Sequence, residues 1–414
     1  MNISEKTIEF IKKHLNDDVR TLALKASKDK DIDLQFALEQ ISGWQKARTK
    51  LPEWAECEGI IYPPHISMEQ CSSEKTALYK AQLAQNLIKK LYNGDNNYNI
   101  NKNETTLIDL TGGFGVDFSY ISTIFGKAIY VERNSRLCEI SEHNMKLMGR
   151  NNVEIINADS EEYICRMPDA TLIFIDPARR DNNGARTFAI SDCTPDVLKL
   201  KDFLLKKAPY LMIKLSPMLD WRKAVADFKG SVSEVHIVSS GNECKELLLV
   251  VEHENEGLKH IYCVNDDDVF HYNDDEYNGN NENIIYNESD DKANIPQYLY
   301  EPNASIMKAG CFNLICSRYG IRQLSTNSHL FISTENIASF PGRSFSIKAI
   351  SSFNKRELKQ ALSDLKRANI SVRNFPISVA ELRKRLKLGE GGDTYLFATT
   401  TSEGKHIVFR CEKL

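Results

Sequence analysis

Four short apolar segments in the middle of the chain each end at an acidic side chain. The acidic residues that close these segments are Asp109, Glu132, Asp159 and Asp176. Apolar runs of this length, separated by stretches long enough for a helix, are typical of parallel strands that are buried on both faces. Because the carboxyl ends of parallel strands meet at one edge of an open sheet, the sequence predicts an α/β fold with a ligand crevice at that edge.

The first segment runs directly into a glycine-rich turn, Thr111 to Gly115. Such a turn lets the backbone approach a bulky ligand closely, because glycine has no Cβ atom and tolerates positive φ. Thr111 replaces the first glycine of a GxGxG pattern, which argues against a pyrophosphate-binding turn of the dehydrogenase kind. Glu132 follows Asp109 by 23 residues. A spacing of about 20 residues suits a carboxylate that binds ribose hydroxyls, so the pattern predicts a nucleoside-type cofactor.

Three more apolar segments follow, at residues 210–215, 235–238 and 246–251. Only the short link from Ser239 to Lys245 separates the last two. A link of this length can join antiparallel strands but cannot contain a crossover helix. The sequence therefore predicts a seven-stranded sheet that ends in an antiparallel hairpin, which a dehydrogenase sheet lacks.

The motifs at residues 109–115, 132, 159 and 176–179 resemble, in this order, those of class I S-adenosylmethionine-dependent methyltransferases over residues 73–252. The resemblance implies a Rossmann-like, seven-stranded methyltransferase sheet and S-adenosyl-L-methionine as the cofactor. Asp109 would then lie near the amino group of the methionine, Glu132 would bind the ribose, and Asp159 the adenine. The cofactor-binding residues implied in this way are Asp109, Thr111, Gly113, Gly115, Glu132, Asp159 and Asp176.

The segment that begins at Asp176 is expected to hold the methyl acceptor, and its candidate catalytic residues are Asp176, Pro177, Arg179 and Arg180. Enzymes that methylate exocyclic amines usually have a second proline and an aromatic residue where this chain has Ala178 and Arg179. This departure puts amine methylation in doubt. The two arginines could clamp a phosphate or stack on a base, or they could form ion pairs that close the loop.

The same segment also resembles the Asp-Pro-Pro-Arg variant of uracil-C5 methyltransferases, which need a nucleophilic cysteine after the fifth strand. Residues 214–218 contain no cysteine, and Cys193 lies before that strand. We therefore expect no covalent mechanism and interpret Cys193 as a structural thiol. Lys214 and Asp220 are weaker candidates for a role at the site, since both could simply cap the loop after the fifth strand.

Composition excludes several classes of protein. The chain has 414 residues, of which 42% are hydrophobic and 27% charged, and no apolar run approaches the ~20 residues that span a bilayer. Its start lacks a basic region followed by an apolar stretch, so we expect no secretory signal, a cytoplasmic protein and no membrane partner. The ten cysteines form no CxxC pair, and we expect free thiols and no metal site.

The chain as a whole resembles uncharacterised bacterial methyltransferases with a THUMP-like C-terminal domain; THUMP is an RNA-binding module of tRNA-modifying enzymes. We expect a helical domain at residues 1–72 and the methyltransferase domain at 73–252. Residues 253–342 should form an acidic insertion and a small linking α+β subdomain, and residues 343–414 a THUMP-like, ferredoxin-like α+β domain. Residues 254–291 contain twelve acidic residues and one lysine, so we expect this stretch to be a solvated or mobile insertion.

Residues 343–387 reverse the balance, with twelve basic and three acidic residues. Such an excess is typical of a phosphate-backbone binder, although solvated helical faces would also explain it. Helices are predicted at residues 355–368 and 379–388, and five of the cations, including Lys366 and Arg367, are predicted to lie on the first of these. The candidate RNA-binding residues are Lys355, Arg356, Lys359, Lys366, Arg367, Arg383 and Lys384.

Together these patterns favour an S-adenosylmethionine-dependent methyltransferase that modifies a base in structured RNA, either tRNA or rRNA. Two alternatives stay open. The enzyme could instead act on a small molecule or a protein, or the chain could be a catalytically silent RNA-binding protein that keeps the fold. The sequence predicts neither the target nucleotide nor the oligomeric state.

Overall fold

The structure is a computed structural model that describes residues 3–25, 31–92, 101–179, 190–253, 255–279, 285–286 and 295–414. Arg180 lies outside these residues, so its predicted role has no structural counterpart here. The chain divides into two compact units. The first unit comprises Met1–Val235 with Glu246–Leu258, and the second comprises His236–Lys245 with Lys259–Leu414.

The first unit begins with six helices. They are α1 (Glu5–His14), α2 (Val19–Lys25), α3 (Leu34–Lys50), α4 (Pro52–Glu56), α5 (His65–Gln70) and α6 (Glu74–Tyr92). Side-chain caps set two of the starts, because Ser4 accepts from the N–H of Thr7 and Asp33 from that of Phe36. The buried face of α6 carries apolar residues such as Leu83 and Leu87, and also the charged Lys80.

Strands and helices then alternate from residue 106 to residue 252. The elements are β1 (Thr106–Asp109), α7 (Val116–Ile121), β2 (Lys127–Glu132), α8 (Ser135–Leu147), β3 (Val153–Asn157), α9 (Ser160–Ile164), β4 (Leu172–Ile175), β5 (Ala178–Arg179), β6 (Cys193–Thr194), α10 (Val197–Lys207), β7 (Tyr210–Leu215), α11 (Trp221–Asp227), β8 (Val232–Ser240) and β9 (Glu243–Glu252). Single 3-10 turns occur at Lys102–Glu104, Ser122–Ile124 and Ile190–Asp192. This alternation confirms the predicted α/β class.

Seven of these strands pair in the order β8-β9-β7-β4-β1-β2-β3 within one sheet. Strand β1 pairs in parallel with β2 and β4, and β4 with β7, whereas β9 is antiparallel to β7. The two residues between β8 and β9, Gly241 and Asn242, have φ values of 59° and 61°. Two positive φ values in a two-residue link are typical of the type I′ turn that suits hairpin twist. The seven predicted strands and their antiparallel hairpin are therefore present. The sheet itself has nine strands, because the hairpin at residues 260–273 continues it beyond β8, so the predicted terminal position of the β8–β9 hairpin is wrong.

The second unit contains an antiparallel hairpin and a seven-stranded sheet. Its elements are β10 (His260–Asn265), β11 (Asp268–Asn273), α12 (Asp274–Gly279), β12 (Tyr298–Pro302), α13 (Ala304–Ala309), α14 (Phe312–Tyr319), β13 (Arg322–Gln323), β14 (Phe331–Ser333), β15 (Gly342–Ser352), α15 (Lys355–Leu362), β16 (Asn369–Arg373), α16 (Val379–Leu386), β17 (Thr394–Thr400) and β18 (His406–Lys413). The sheet order is β13-β14-β12-β15-β18-β17-β16.

This second sheet is buried on both faces. Leu396 and Phe397 are successive residues of β17, so their side chains point to opposite faces. Leu396 packs with Leu358 of α15 and Leu382 of α16, while Phe397 packs with Phe345 and other residues of the opposite cluster. Strand β12 pairs with β15, so the predicted linking subdomain and the predicted C-terminal domain share one continuous sheet.

Two expectations from the sequence are wrong in the described residues. Part of the acidic stretch, residues 260–273, forms the hairpin β10–β11, whose Phe270 and Tyr272 are buried. Helix α15 ends at Leu362 and not at residue 368. Its end is fixed by Arg410, whose guanidinium donates to the carbonyl of Ala361 and to both carboxylate oxygens of Asp364. Residues 366 and 367 therefore lie after the helix and not on it.

Candidate functional site

The glycine turn between β1 and α7 lies directly against the ring of Tyr130. A Cβ atom on Gly112 would stand 2.1 Å from that ring, so only glycine fits there. Gly113 and Gly115 have φ values of 57° and 82°, in the region that favours glycine. The hydroxyl of Tyr130 donates to the carbonyl of Gly113 and fixes the turn. The sequence predicted roles for Gly113 and Gly115 but missed Gly112, whose requirement depends on a ring 18 residues away.

Glu132, at the end of β2, faces this turn. Its Oε2 atom accepts from the N–H of Gly113 at 3.0 Å, and its Oε1 atom accepts from the N–H of Asn134 at 2.8 Å. Both carboxylate oxygens are thus oriented by backbone donors, and each keeps a further lone pair for a ligand. The structure brings Glu132 and Gly113 together, as the position of both at the carboxyl edge of the sheet predicted.

Asp109, the last residue of β1, is a buried acid. Only 2% of its surface is exposed, and its Oδ1 atom accepts from the N–H of Thr111 at 2.9 Å. Burial raises the pKa of Asp109 to about 8, although the Thr111 bond opposes the rise. The nearby carboxylates of Asp117, Asp176 and Glu132 raise this pKa further. A cationic ligand at this edge would relieve that repulsion and favour the ionised form.

Thr111 connects the turn to the end of β4. Its hydroxyl accepts from the N–H of Asp176 at 2.6 Å and donates to Oδ1 of Asp109 at 3.4 Å. A glycine at this position, as in a GxGxG turn, could make neither bond. The departure from the dehydrogenase pattern therefore has a structural reason, since Thr111 fixes the backbone of Asp176 relative to β1.

Asp176 forms an ion pair that the sequence did not predict. Nζ of Lys214, on β7, donates to Oδ2 of Asp176 at 2.6 Å and lies 3.4 Å from Oδ2 of Asp117. Strands β4 and β7 are parallel neighbours, which explains why their polar residues meet at the same edge. The side chain of Asp176 is 42% exposed and that of Lys214 is 13% exposed, so the carboxylate is the more accessible member of the pair.

Behind Lys214 lies a second, fully buried ion pair. The ammonium of Lys80 has no exposed surface and lies 3.1 Å from Oδ1 of Asp117. It also donates to the carboxylate of Glu246, which is 2% exposed. The sequence did not indicate a role for these three residues. The sequence signal that could have found them is a charged residue next to apolar ones. Lys80 lies on the buried face of α6, Asp117 in the first turn of α7, and Glu246 directly before the apolar run of β9.

The remaining predicted site residues are more scattered. Asp159 caps α9, where its Oδ1 atom accepts from the N–H of Glu161 at 2.9 Å. Pro177 is buried, and the backbone of Arg179 pairs with Cys193 between β5 and β6. Asp220 caps α11 through the N–H groups of Arg222 and Lys223, which is the structural alternative considered for it.

Two negative findings apply to the described part of the chain. Its His, Cys, Asp and Glu side chains form no group of three or more that could hold a metal ion. Within the same ranges, no helix is both long enough and apolar enough to cross a membrane.

Replacement of Asp109 by asparagine tests its raised pKa. A carboxyl group with a higher pKa in the folded than in the unfolded protein stabilises the fold at low pH, and this contribution is lost as the pH rises through the folded value, here about 8. The variant cannot ionise at this position. We therefore expect its free energy of unfolding, relative to the native protein, to rise from pH ~4 to ~8.

Denaturant titrations followed by tryptophan fluorescence would measure this difference in the first unit, because Trp44, Trp54 and Trp221 all belong to it. Asp202→Asn is the matched control, since the side chain of Asp202 is 85% exposed. A constant difference between Asp109→Asn and native protein across this pH range would contradict the raised pKa.

Two families match parts of the second unit. A family described as THUMP domain-like matches residues 342–413, and a family described as ferredoxin-like domain matches residues 298–341. No curated protein matches the chain.

Solved structures give a full-length relative. A "putative methyltransferase" from Porphyromonas gingivalis W83 is 31% identical, with a TM-score of 0.81 and 100% of each chain covered. Two others are each 13% identical: SMU.1697c from Streptococcus mutans in complex with SAH and the tRNA (m1A58) methyltransferase TrmI from Aquifex aeolicus. The first match covers 41% of this chain and 96% of the other, with a TM-score of 0.30, and the second covers 45% and 71%, with a TM-score of 0.33. On its full-length relative, its strand order and its C-terminal domain, the chain belongs to the class I S-adenosylmethionine-dependent methyltransferases, in the group with a THUMP-like C-terminal domain.

Proposed function

We propose that this protein transfers the methyl group of S-adenosylmethionine to structured RNA. One observation carries the proposal: the carboxylates of Asp109, Glu132 and Asp176 converge around a glycine turn at the carboxyl edge of the sheet, and the last of them also meets Lys214. A cofactor side and an acceptor side thus lie next to each other. The identity of the acceptor as RNA rests on the second unit.

The residues at this edge fit S-adenosylmethionine, which carries a net positive charge. Asp109 suits the cofactor's ammonium group, because its burial among other carboxylates favours a cationic partner. Glu132 would accept from the ribose hydroxyls through the lone pairs that Gly113 and Asn134 leave over. Asp159 would accept from the adenine amino group, and the turn at residues 111–115 would pass beneath the methionine. When bound, the cofactor supplies a methyl group on a sulfonium, which is a good leaving group.

The acceptor side is assigned to the segment that begins at Asp176. Asp176 is its accessible carboxylate. Pro177 restricts the backbone of the residue before it, Asp176, by steric contact with the proline ring. Arg179 and Arg180 follow and would bind phosphate or stack on a base. We propose that these four residues bind the acceptor and contribute little to cofactor affinity, apart from the electrostatic effect of Asp176.

Glu132→Ala tests the cofactor side. The substitution removes charge-assisted hydrogen bonds to the ribose, each worth about 1.5 to 3 kcal/mol, so we expect S-adenosylmethionine affinity to fall by at least about tenfold. Isothermal titration calorimetry measures the dissociation constant of S-adenosylmethionine for each protein. Glu142→Ala is the control. It changes an exposed glutamate of helix α8, the helix that follows Glu132, and should bind the cofactor as the native protein does. Unchanged binding by the Glu132 variant, or no binding by the native protein at millimolar cofactor, would show that the site is assigned wrongly.

The second unit has cations that could bind RNA, but some of the twelve basic residues at 343–387 already have partners within the protein. Arg343 and Arg373 both pair with the buried carboxylate of Glu301. Arg383, a predicted RNA-binding residue, donates to the carbonyls of Ala368 and Gly389, which gives it a structural role. These three cations therefore have intramolecular partners already.

Other cations in this region are exposed: Lys355, Arg356, Lys359, Lys366, Arg367 and Lys384. Lys355, Arg356 and Lys359 lie on α15, and the next two lie in the segment after it. Exposed cations on one helix and the segment that follows it can contact successive phosphates of a folded RNA. Together with the THUMP domain-like match, this surface supports RNA as the substrate.

RNA binding through these cations should depend strongly on salt. If about four to six of them reach phosphates, the slope of log affinity against log salt should be roughly −3 to −5. Reversing Lys359, Lys366 and Arg367 to glutamate should weaken binding and flatten the slope. Filter binding of tRNA and rRNA fragments across a salt series measures both quantities.

The matched control reverses three exposed lysines of the first unit, Lys89, Lys206 and Lys229, because it makes the same change in net charge. Both variants keep the whole chain, since a truncation before β15 would remove four strands of the seven-stranded sheet. Equal weakening by the two variants would indicate a general charge effect, and a slope near zero for the native protein would contradict phosphate contacts.

Methyl transfer itself is tested by offering labelled S-adenosylmethionine together with cellular RNA, protein or small-molecule extract from cells that lack the gene. We expect label in RNA. Label only in protein or in small molecules would favour the corresponding alternative. RNA retention at physiological salt without transfer to any fraction would favour the catalytically silent RNA-binding protein.

A further inference from the structure

Five charged side chains form a continuous chain from the crevice into the interior of the first unit. In order they are Asp176, Lys214, Asp117, Lys80 and Glu246. Asp176 directly follows β4, and the other four members lie on β7, α7, α6 and β9. The Oγ atom of Ser72 also donates to Oδ2 of Asp117 at 2.8 Å. Nothing in the cofactor side described above uses these lysines.

This row of charged side chains places one ammonium group, that of Lys214, against the carboxylate of Asp176. Burial alone would lower the pKa of Lys214, but the carboxylates of Asp176 and Asp117 raise it well above its usual value. Lys214 therefore stays protonated at neutral pH. It is a fixed cation at the acceptor side and not a neutral base.

A fixed cation distinguishes between classes of methyl acceptor. When an amine or a ring nitrogen is methylated, positive charge develops on that nitrogen, and a neighbouring ammonium destabilises the transition state. When a hydroxyl is methylated, the oxygen loses its proton, and the same ammonium stabilises the negative charge that develops. The electrostatics at Asp176 thus disfavour nitrogen and favour oxygen. The absence of the second proline and the aromatic residue after Asp176 agrees with this.

We infer that Lys214 and Asp176 together bind an acceptor hydroxyl and that, on the proposed RNA substrate, this group is a ribose 2′-hydroxyl. The inference rests on the proposed function and differs from the sequence-based expectation of a base. Within an RNA chain the 2′-hydroxyl is the hydroxyl that each internal nucleotide carries.

The reaction balances with the residues present. The hydroxyl donates its proton to the carboxylate of Asp176, and the oxygen lone pair forms the new bond to the methyl carbon. The carbon–sulfur bond breaks, its electron pair stays on sulfur, and the product is a neutral thioether. Asp176 then releases the proton to water. Lys214 keeps its proton throughout and stabilises the oxygen.

The other three charged side chains of this row, Asp117, Lys80 and Glu246, are positioning residues. Lys80 bridges Glu246 and Asp117, and Asp117 in turn contacts the ammonium of Lys214. Long lysine side chains have many rotamers, so an ammonium acts at one place only if its partners fix it. We assign this fixing to Asp117, whose Oδ1 atom is held by Lys80 and whose Oδ2 atom accepts from Ser72.

The position of the new methyl group tests the inference directly. Native protein, deuterated-methyl S-adenosylmethionine and RNA from cells that lack the gene are incubated, and the RNA is digested to nucleosides for mass spectrometry. We expect the added mass on the ribose fragment, and label in dinucleotides that resist alkali. Label on a base fragment would overturn the inference while the proposed function stands. Absence of any transfer to RNA would overturn both.

Variants separate a catalytic Lys214 from a structural one. We expect Lys214→Met to lower kcat by about a hundredfold, as loss of a charge-stabilising donor does, with cofactor affinity by calorimetry within a few-fold of native. Lys214→Arg should recover part of kcat, because it keeps the cation. Lys223→Met, which removes a largely exposed lysine that pairs with Asp227, is the control with native kcat.

Because Lys214→Met leaves Asp117 with fewer partners, it could fail to fold. Asp176→Asn covers that outcome, since its side chain is partly exposed and the change is isosteric. It should also lower kcat strongly while cofactor affinity and thermal stability stay near native. Native kcat in either folded variant, or equal losses of kcat and cofactor affinity in both, would overturn the assignment.

Discussion

The buried ammonium of Lys80 is the interaction on which the proposed acceptor side depends. It has no exposed surface and holds Glu246 and Asp117 at once, so it connects helix α6, strand β9 and helix α7. Removing one partner of such a buried pair leaves an uncompensated charge, which commonly costs about 3 to 5 kcal/mol. The same ammonium also holds Asp117, which is the second carboxylate beside Lys214. Stability and chemistry are thus coupled in one set of side chains.

The sequence predicted the fold and the meeting of several acidic residues at one edge of the sheet, for a local reason. Each strand is a short apolar run, and the polar residue that follows it is adjacent in sequence, so Asp109, Glu132 and Asp176 could be assigned to one edge without knowledge of packing. Thr111 is a partial exception. Its departure from GxGxG excluded one class of cofactor, yet its bond to the N–H of Asp176 joins residues 65 positions apart and was not visible in the pattern.

What the sequence did not predict depends on contacts between distant residues. Lys80 and Glu246 are 166 positions apart, and each taken alone is only a charged residue in an apolar run. Helix α15 ends early because Arg410, 46 positions from Asp364, binds its last turn, whereas helix propensity alone allowed the helix to continue. The hairpin in the acidic stretch was not predicted because the high charge of this stretch obscures the alternation of buried residues in β10 and β11.

The charges at the carboxyl edge of the sheet form two parts that favour different ligand charges. Around Asp109 and Glu132 the field is negative, and it favours a cationic ligand. Near Asp176 the ammonium of Lys214 compensates this negative field. A sulfonium is therefore stabilised less at this place than an oxygen that is losing its proton. Methyl transfer removes the positive charge from sulfur, and with it part of the attraction to the carboxylates. The electrostatics that favour binding of the cofactor therefore also favour release of the product, without any movement of the fold.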